Sequence, residues 1–218
     1  MCKLKSAIIL KDRVFIPDYD SHSEMLAELG IDDTRANAET LFVRAELSPR
    51  NGDAFAPIDE WVFHIDQDIR PEWFVENYEK ERMIAAVKEW AETHIHVGDD
   101  GLKIDAGCNH YVKDCKNVEI SGSASVERIS GSASVEYIGG SASVKYIGGS
   151  ASVERIGDSA GVEYIGGSAV VSGSIYGWKN KDEFALSDNA TFRDFESKII
   201  YQAGEWEFRL VPEKEATS

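Results

Sequence analysis

The sequence predicts an α+β amino-terminal domain followed by a short-period β-solenoid with about two nine-residue repeats per coil and a β cap at its carboxyl end. Two observations carry this. Residues 121–174 divide into six consecutive nine-residue units, five of which share the spacing Ser-Ala-x-Val-x-x-Ile. Residues 1–100 show no repeat and mix alternating with helical apolar periods, as a domain of both strands and helices does. The expected divisions are 1–100 for the α+β domain, 101–120 for an opening segment and first coil, 121–174 for the repeats, and 175–218 for a closing coil and cap.

The units are SGSASVERI, SGSASVEYI, GGSASVKYI, GGSASVERI, GDSAGVEYI and GGSAVVSGS. Ala124 and Val126 are two apart, so on a strand they share a side. Ile129 lies three beyond Val126, and a corner between them brings all three inward. Glycine at every ninth residue and the β-branched run exclude a helix. One unit is too short to encircle a core. Two units make an 18-residue coil, and stacked coils then place Glu127, Lys145 and Glu163 in one outward column. Arg128, Tyr146 and Tyr164 form a second column, and Tyr137 adjoins Arg155 on another side.

The repeat extends loosely at both ends. GCNHYVKDC (107–115) fits with Val112 in the Val slot and Cys115 in the Ile slot, as an opening coil reached through residues 95–104. DNATFRDF (188–195) fits with Ala190, Phe192 and Phe195 inward, as part of a bulkier closing coil that shields an exposed strand edge. Residues 198–202 and 205–211 read as a hairpin cap around Ala203-Gly204, with a frayed tail beyond Pro212.

In the amino-terminal half, residues 7–10 and 14–16 flank Lys11-Asp12-Arg13 as a hairpin. Ser21-x-x-Glu24 is a capping box that opens a helix through Met25, Leu26 and Leu29, with Gly30 as its stop. Residues 40–47 and 60–66 read as strands separated by a loop containing Pro49, Gly52 and Pro57. Pro71 opens a helical stretch to about Thr93, with Trp73, Phe74, Ile84, Val87, Trp90 and Ala91 on its apolar face and a possible break within 78–83.

The net charge is −16, from 39 acidic and 23 basic residues. Direct nucleic-acid binding needs a basic stripe, so it is not expected. The charge suits either plain solubility or competition with nucleic acid for a partner's basic surface. No apolar run has membrane-spanning or signal-peptide length. Three cysteines argue against a disulfide framework and for a reducing cytoplasm.

Several groups offer candidate chemistry. His94, His96, Cys108, His110 and Cys115 are ligand types that zinc accepts, but their spacing matches no paired zinc motif and no metal is expected there. Asp18, Asp20 and His22, with Asp66 and Asp68, could hold magnesium or act as acid and base, yet no nucleophile–base–orienter set accompanies them. Such carboxylates also serve local turns and helix starts. Calcium rolls with Gly-Gly repeats need a carboxylate per unit, which only Asp158 supplies here. The paired serines of each repeat would form a hydroxyl face, in which small polar residues simply suit a tight exposed strand. Arg128, Tyr137, Tyr146, Arg155 and Tyr164 are the expected binding residues, because Tyr and Arg are enriched in binding hot spots and a solenoid presents an extended rigid surface.

The segments KSAIILKDRVFIPDYDSH, FVRAELSP and IDEWVFHIDQDI resemble the start of uncharacterised proteins of gut bacteria and their phages, which carry short Ala-x-Val repeats behind this domain. The resemblance implies a phage or mobile-element setting and brings no activity or site residues. In architecture alone the repeat is similar to pentapeptide-repeat β-helices, some of which mimic DNA. The expected function is a non-enzymatic binding module, without cofactor, that engages a host protein such as a nucleic-acid-handling enzyme in the host cytoplasm as an inhibitor of a defence system. Homodimerisation is left open. The rival expectations are an enzyme built on Asp18, Asp20, His22, Asp66 and Asp68, and a self-assembling solenoid.

Overall fold

A computed structural model describes residues 5–174 and 184–203. The amino-terminal domain is built on a four-stranded antiparallel sheet of order β2-β1-β3-β4. Its strands are β1 (Lys5–Leu10), β2 (Val14–Phe15), β3 (Phe42–Ser48) and β4 (Val62–Ile65). Helix α1 (His22–Glu28) starts where Ser21 Oγ accepts a hydrogen bond from the Glu24 amide at 3.3 Å. It is followed by Gly30 at a φ of 67°. A single-turn helix α2 (Arg35–Ala38), capped by Thr34, precedes β3 and was not legible in the sequence because four residues leave no periodicity.

Helix α3 (Glu76–His94) runs without interruption, so the break expected within 78–83 does not occur. The polar stretch there is satisfied rather than broken. Buried Glu79 pairs with Arg82 at 2.6 Å, and the Arg82 guanidinium donates onward to the Leu10 carbonyl. Pro71, Trp73 and Phe74 lie in a turn ahead of the helix and not within it.

Alternation along the strands divides the sheet into two apolar faces. Ala7, Ile9, Val43, Ala45 and Leu47 pack against Met83, Val87, Trp90 and Ala91 of α3. Ile8 and Phe42 pack against Met25 and Leu26 of α1. Fully burying an aliphatic side chain of this kind contributes about 1.5–3 kcal/mol.

The chain passes from His94 straight into a parallel β-solenoid of about five turns. One sheet contains β5 (Ile95–Val97), β7 (His110–Lys113), β9 (Ser125–Ser130), β11 (Ser143–Ile147), β13 (Gly161–Ile165) and β15 (Ala185–Leu186). The other contains β6 (Lys103–Ile104), β8 (Val118–Ile120), β10 (Ser134–Ile138), β12 (Ser152–Ile156), β14 (Val170–Gly173) and β16 (Thr191–Asp194). Strand β17 (Ile199–Gln202) closes the second sheet by pairing antiparallel with β16. The partner expected for it at 205–211, and the tail after Pro212, lie outside the described residues.

The 18-residue coil is confirmed by register. Val144 pairs with both Val126 and Val162, and Ile147 with both Ile129 and Ile165. Ala, Val and Ile ladders fill the space between the sheets and are essentially inaccessible. The next coil sits about 4.8 Å away, so coils approach closely at each corner, where the left-handed backbone favours glycine. Gly149 has a φ of 66°, and a methyl group built on it would lie 2.7 Å from the Gly131 carbonyl oxygen.

Both end coils differ from the expected register. His110 pairs with Val126 and Val112 with Ile129, so His110 takes the Val slot, Val112 the Ile slot, and Cys115 aligns with Ala133 one coil on. A bulge between His110 and Tyr111 causes the offset. At the other end Ala190 and Phe192 are buried, but Phe195 is 60% exposed. A register shift after Val153 sets Gly173 opposite Ile156, and Asp194 then stacks on Gly173 in the slot assigned to Phe195.

Changing Gly149 to Ala combines a clash with a left-handed backbone and should destabilise the protein by about 1–3 kcal/mol. Changing the exposed neighbour Ser150 to Ala should stay within about 0.5 kcal/mol of wild type. Urea unfolding of the two variants beside wild type measures both.

Candidate functional site

The outward columns form as the coil length requires. Lys145 Nζ bonds both Glu127 oxygens, at 2.7 and 2.8 Å, across adjacent coils. The Arg128 guanidinium lies over the Tyr146 ring at 4.8 Å, and Tyr146 stacks on Tyr164 with ring centres 5.4 Å apart and planes 15° apart. The same column begins at Tyr111, which pairs with Arg128 but is buried in the amino-terminal core against Phe55. Tyr137 and Arg155 lie on the other sheet, 5.8 Å apart. The five expected binding residues are therefore divided between the two sheets, three on one and two on the other.

These tyrosines are half-buried because each ring folds over the glycine two residues on. A methyl group built on Gly148 would lie 2.2 Å from Tyr146 Cε1, and one on Gly139 would lie 2.2 Å from Tyr137 Cε1. Each tyrosine repeat, at 137, 146 and 164, has Gly at the second residue after it, whereas Arg128 is followed there by Ser130. The Tyr137 hydroxyl donates to Asp158 at 2.6 Å, which lowers the Asp158 carboxyl and raises the Tyr137 phenol from their ordinary values.

The histidines and cysteines of zinc-ligand type do not converge on one point. His94 stacks on His110 with ring centres 4.9 Å apart, and His96 lies 5.9 Å from His110 on the same stack. Trp90 extends it at 4.6 Å from His94. Cys115 is buried in the solenoid core, and Cys108 donates to the Asp18 carbonyl at 3.1 Å. His110 and His96 instead fill the Val and Ile slots of the first coils, since His96 pairs with Val112 and so continues the Ile129 column. The stack closes the core with polar rings where apolar ones would face the solenoid end.

The rival acidic set is split. Asp18 pairs with His94 Nε2 at 3.1 Å. Asp20 bonds the fully buried Lys5 ammonium at 2.9 Å and the Ser6 amide at 3.1 Å. Asp68 has no side-chain hydrogen bond or ion pair among the described residues. His22 and Asp66 do meet, with Nδ1 and Oδ2 3.3 Å apart, and a residue not singled out from the sequence, Glu46, joins them. Glu46 occupies a polar position in the alternation of β3, which in a sequence reads as solvent-facing. Only the placement of α1 over that face brings it to His22.

Among the described residues no helix is long and apolar enough to cross a membrane. Burial pushes the His96 and His110 imidazoles below their ordinary value of 6.5, against weaker opposing pulls from Asp99 and the Ala106 carbonyl. The folded state thus favours the neutral rings. Their contribution is fully present above pH 6.5 and is lost as the pH falls below it toward the lower folded values. The urea midpoint should drop as the pH falls below about 6.5. His110→Phe, which keeps a ring in the stack but cannot titrate, should flatten that slope, and an unchanged slope would assign the loss to carboxylates instead.

No family model, curated protein or solved structure matches the chain, so the small α+β domain and the solenoid stand on their own residues.

Proposed function

We propose that the chain is a non-enzymatic protein-binding module whose working surface is the Arg128–Tyr146–Tyr164 column. The observation that carries this reading is the column's order before any partner arrives. The three side chains stack on one another at 4.8 and 5.4 Å and need no further immobilisation. Ordering a long side chain at an interface costs about 0.5–1.5 kcal/mol, and a preformed column avoids most of it. Arg and Tyr are also the side chains that most often dominate interface energies.

The charge supports a basic partner. Glu136 and Glu154 are exposed one position beyond the paired Val135 and Val153, so two carboxylates neighbour each other on adjacent strands. Like charges so placed disfavour the fold slightly and leave the sheet opposite the Arg128–Tyr146–Tyr164 column acidic. With a net charge of −16, the partner class that fits is a nucleic-acid-handling protein, inhibited by occupation of its basic groove. A phage or mobile-element gene acting on a host defence system is the setting proposed for it.

The test starts with tagged full-length protein in nuclease-treated lysate, followed by titration of the identified partner in purified form. Tyr146→Ala and Arg128→Ala should each weaken binding at least about tenfold, with circular dichroism unchanged. Affinity should also fall with added salt. Equal retention by wild type and by the variant with Arg128, Tyr137, Tyr146, Arg155 and Tyr164 all changed to Ala would overturn the reading, as would the absence of any partner.

A further inference from the structure

The cluster of His22, Glu46 and Asp66 has the composition and spacing of a cation site. One ligand atom from each residue lies within 4.8 Å of the other two. Glu46 belongs to the sheet face that α1 covers, Asp66 directly follows β4, and His22 is the first residue of α1. Register places Glu46 of β3 directly across from Ser6 of β1 and from His64 of β4, and α1 sets His22 above them at its first turn.

The tautomer of His22 is set by the backbone. Its Nε2 lies 3.2 Å from the Ala45 carbonyl oxygen. A carbonyl can only accept, so Nε2 carries the hydrogen and donates it. The other nitrogen, Nδ1, then turns its lone pair toward the Asp66 carboxylate at 3.3 Å. Two acceptors facing at that distance need a positive charge between them, either a proton on Nδ1 or a metal ion. Ligand atoms each about 2.1 Å from one tetrahedral zinc ion lie about 3.4 Å apart. A ligating imidazole that donates its second N–H to a backbone carbonyl is the usual orienting arrangement in metal sites.

Two further observations favour the metal over the proton. The Glu46 carboxylate is half-buried and has no hydrogen bond or ion pair among the described residues. A protonated His22 paired with Asp66 leaves that carboxylate uncompensated, whereas a divalent cation answers all three groups. Beside it, Ser6 is 0% exposed and its Oγ has no hydrogen-bond partner. That hydroxyl is a ready donor or acceptor for a water held on the ion.

We propose that His22 Nδ1, Glu46 and Asp66 bind a first-row divalent cation, zinc before manganese, with its remaining positions taken by water. One imidazole with two carboxylates suits the borderline cations rather than calcium, which requires six or more oxygens. Three protein ligands leave the site open, and Asp66, whose side chain is 61% exposed, marks the side facing solvent. The ion would tie the first turn of α1 to β3 and to the end of β4. The site is remote in sequence from the solenoid columns, and its test is independent of partner binding.

Chelator-treated full-length protein is titrated with zinc chloride and manganese chloride by calorimetry, with magnesium and calcium chloride alongside. One saturable zinc equivalent is expected, with manganese weaker and magnesium and calcium weaker still. Asp66→Asn and Glu46→Gln should each lower zinc affinity at least tenfold. Asp66 is exposed and Asp66→Asn leaves the covered face intact, so loss of folding does not confound it. The double variant Glu136→Gln/Glu154→Gln controls for general attraction to an acidic protein and should bind zinc like wild type. In nitrogen-15 spectra of the wild type, zinc should move the His22 Nδ1 signal and spare Nε2. The proposal is overturned if no saturable site appears, if both site variants bind zinc like wild type, or if the control double variant loses as much affinity as they do.

Discussion

Every residue in the inner coils of the solenoid has a neighbour one coil above and one below in the same slot, and the rest of the molecule follows from that stacking. The parallel ladders satisfy the backbone groups of each coil, and through the repeats they do so at one 18-residue step, while longer steps, such as Tyr164 to Ala185 and Val170 to Thr191, carry the chain to β15 and β16. Inward slots then accept side chains that stack on copies of themselves, which Ala, Val and Ile do. At the corners the left-handed backbone admits glycine or a residue that makes up for its strain. Asp158, at a φ of 56°, does the latter, because its carboxylate reaches back one coil to accept from the Gly140 amide at 2.9 Å. Asp188 repeats the device on Gly167 at 3.0 Å.

A stack of identical coils has no internal reason to stop, so its ends have to be made by other means. At the amino end the slots for Val and Ile are occupied by His110 and His96, and α3 delivers His94 and Trp90 against them. Asp18 and Asp20 from the loop before α1 hold this boundary between core and domain through His94 and Lys5. At the carboxyl end the described chain reverses direction, and β17 covers β16 with an antiparallel strand that cannot propagate the coil. Phe192 fills the last core slot between Phe184 and Tyr201.

The repeat was legible because five units obey one spacing, and a strict spacing fixes which residues stack: Glu127 on Lys145, and Arg128 on Tyr146 on Tyr164. The end coils were misread where a bulge inserts or removes one residue, since a template aligned on Val112 or Phe195 has no way to register an offset that arises from pairing. The hairpin, the Ser21 cap and the long strands could be read from local patterns. The continuity of α3 could not, because the partner that satisfies Glu79 and Arg82 includes the Leu10 carbonyl, far away in the chain. Glu46 was invisible for the same reason. Its chemistry depends on α1 crossing the sheet, and alternation alone assigns it to solvent. The pairing of each repeat tyrosine with a glycine two residues later was present in the sequence throughout, but its meaning needs the ring's position over that glycine.

That pairing bears on how the column can work. A tyrosine that merely covered a corner would be served as well by any flat apolar ring, and the corner glycine would be its whole explanation. Tyr146 also supports the guanidinium of Arg128 on one side and the ring of Tyr164 on the other, so its position is set by three contacts at once. The geometry that shields the corner therefore also holds an arginine outward in a fixed place. The Tyr111 end of the column is anchored in the amino-terminal core, which makes the two parts of the chain one support for it. Stability and presentation are the same set of contacts here, and a surface built this way stays rigid because the fold beneath it requires that it be.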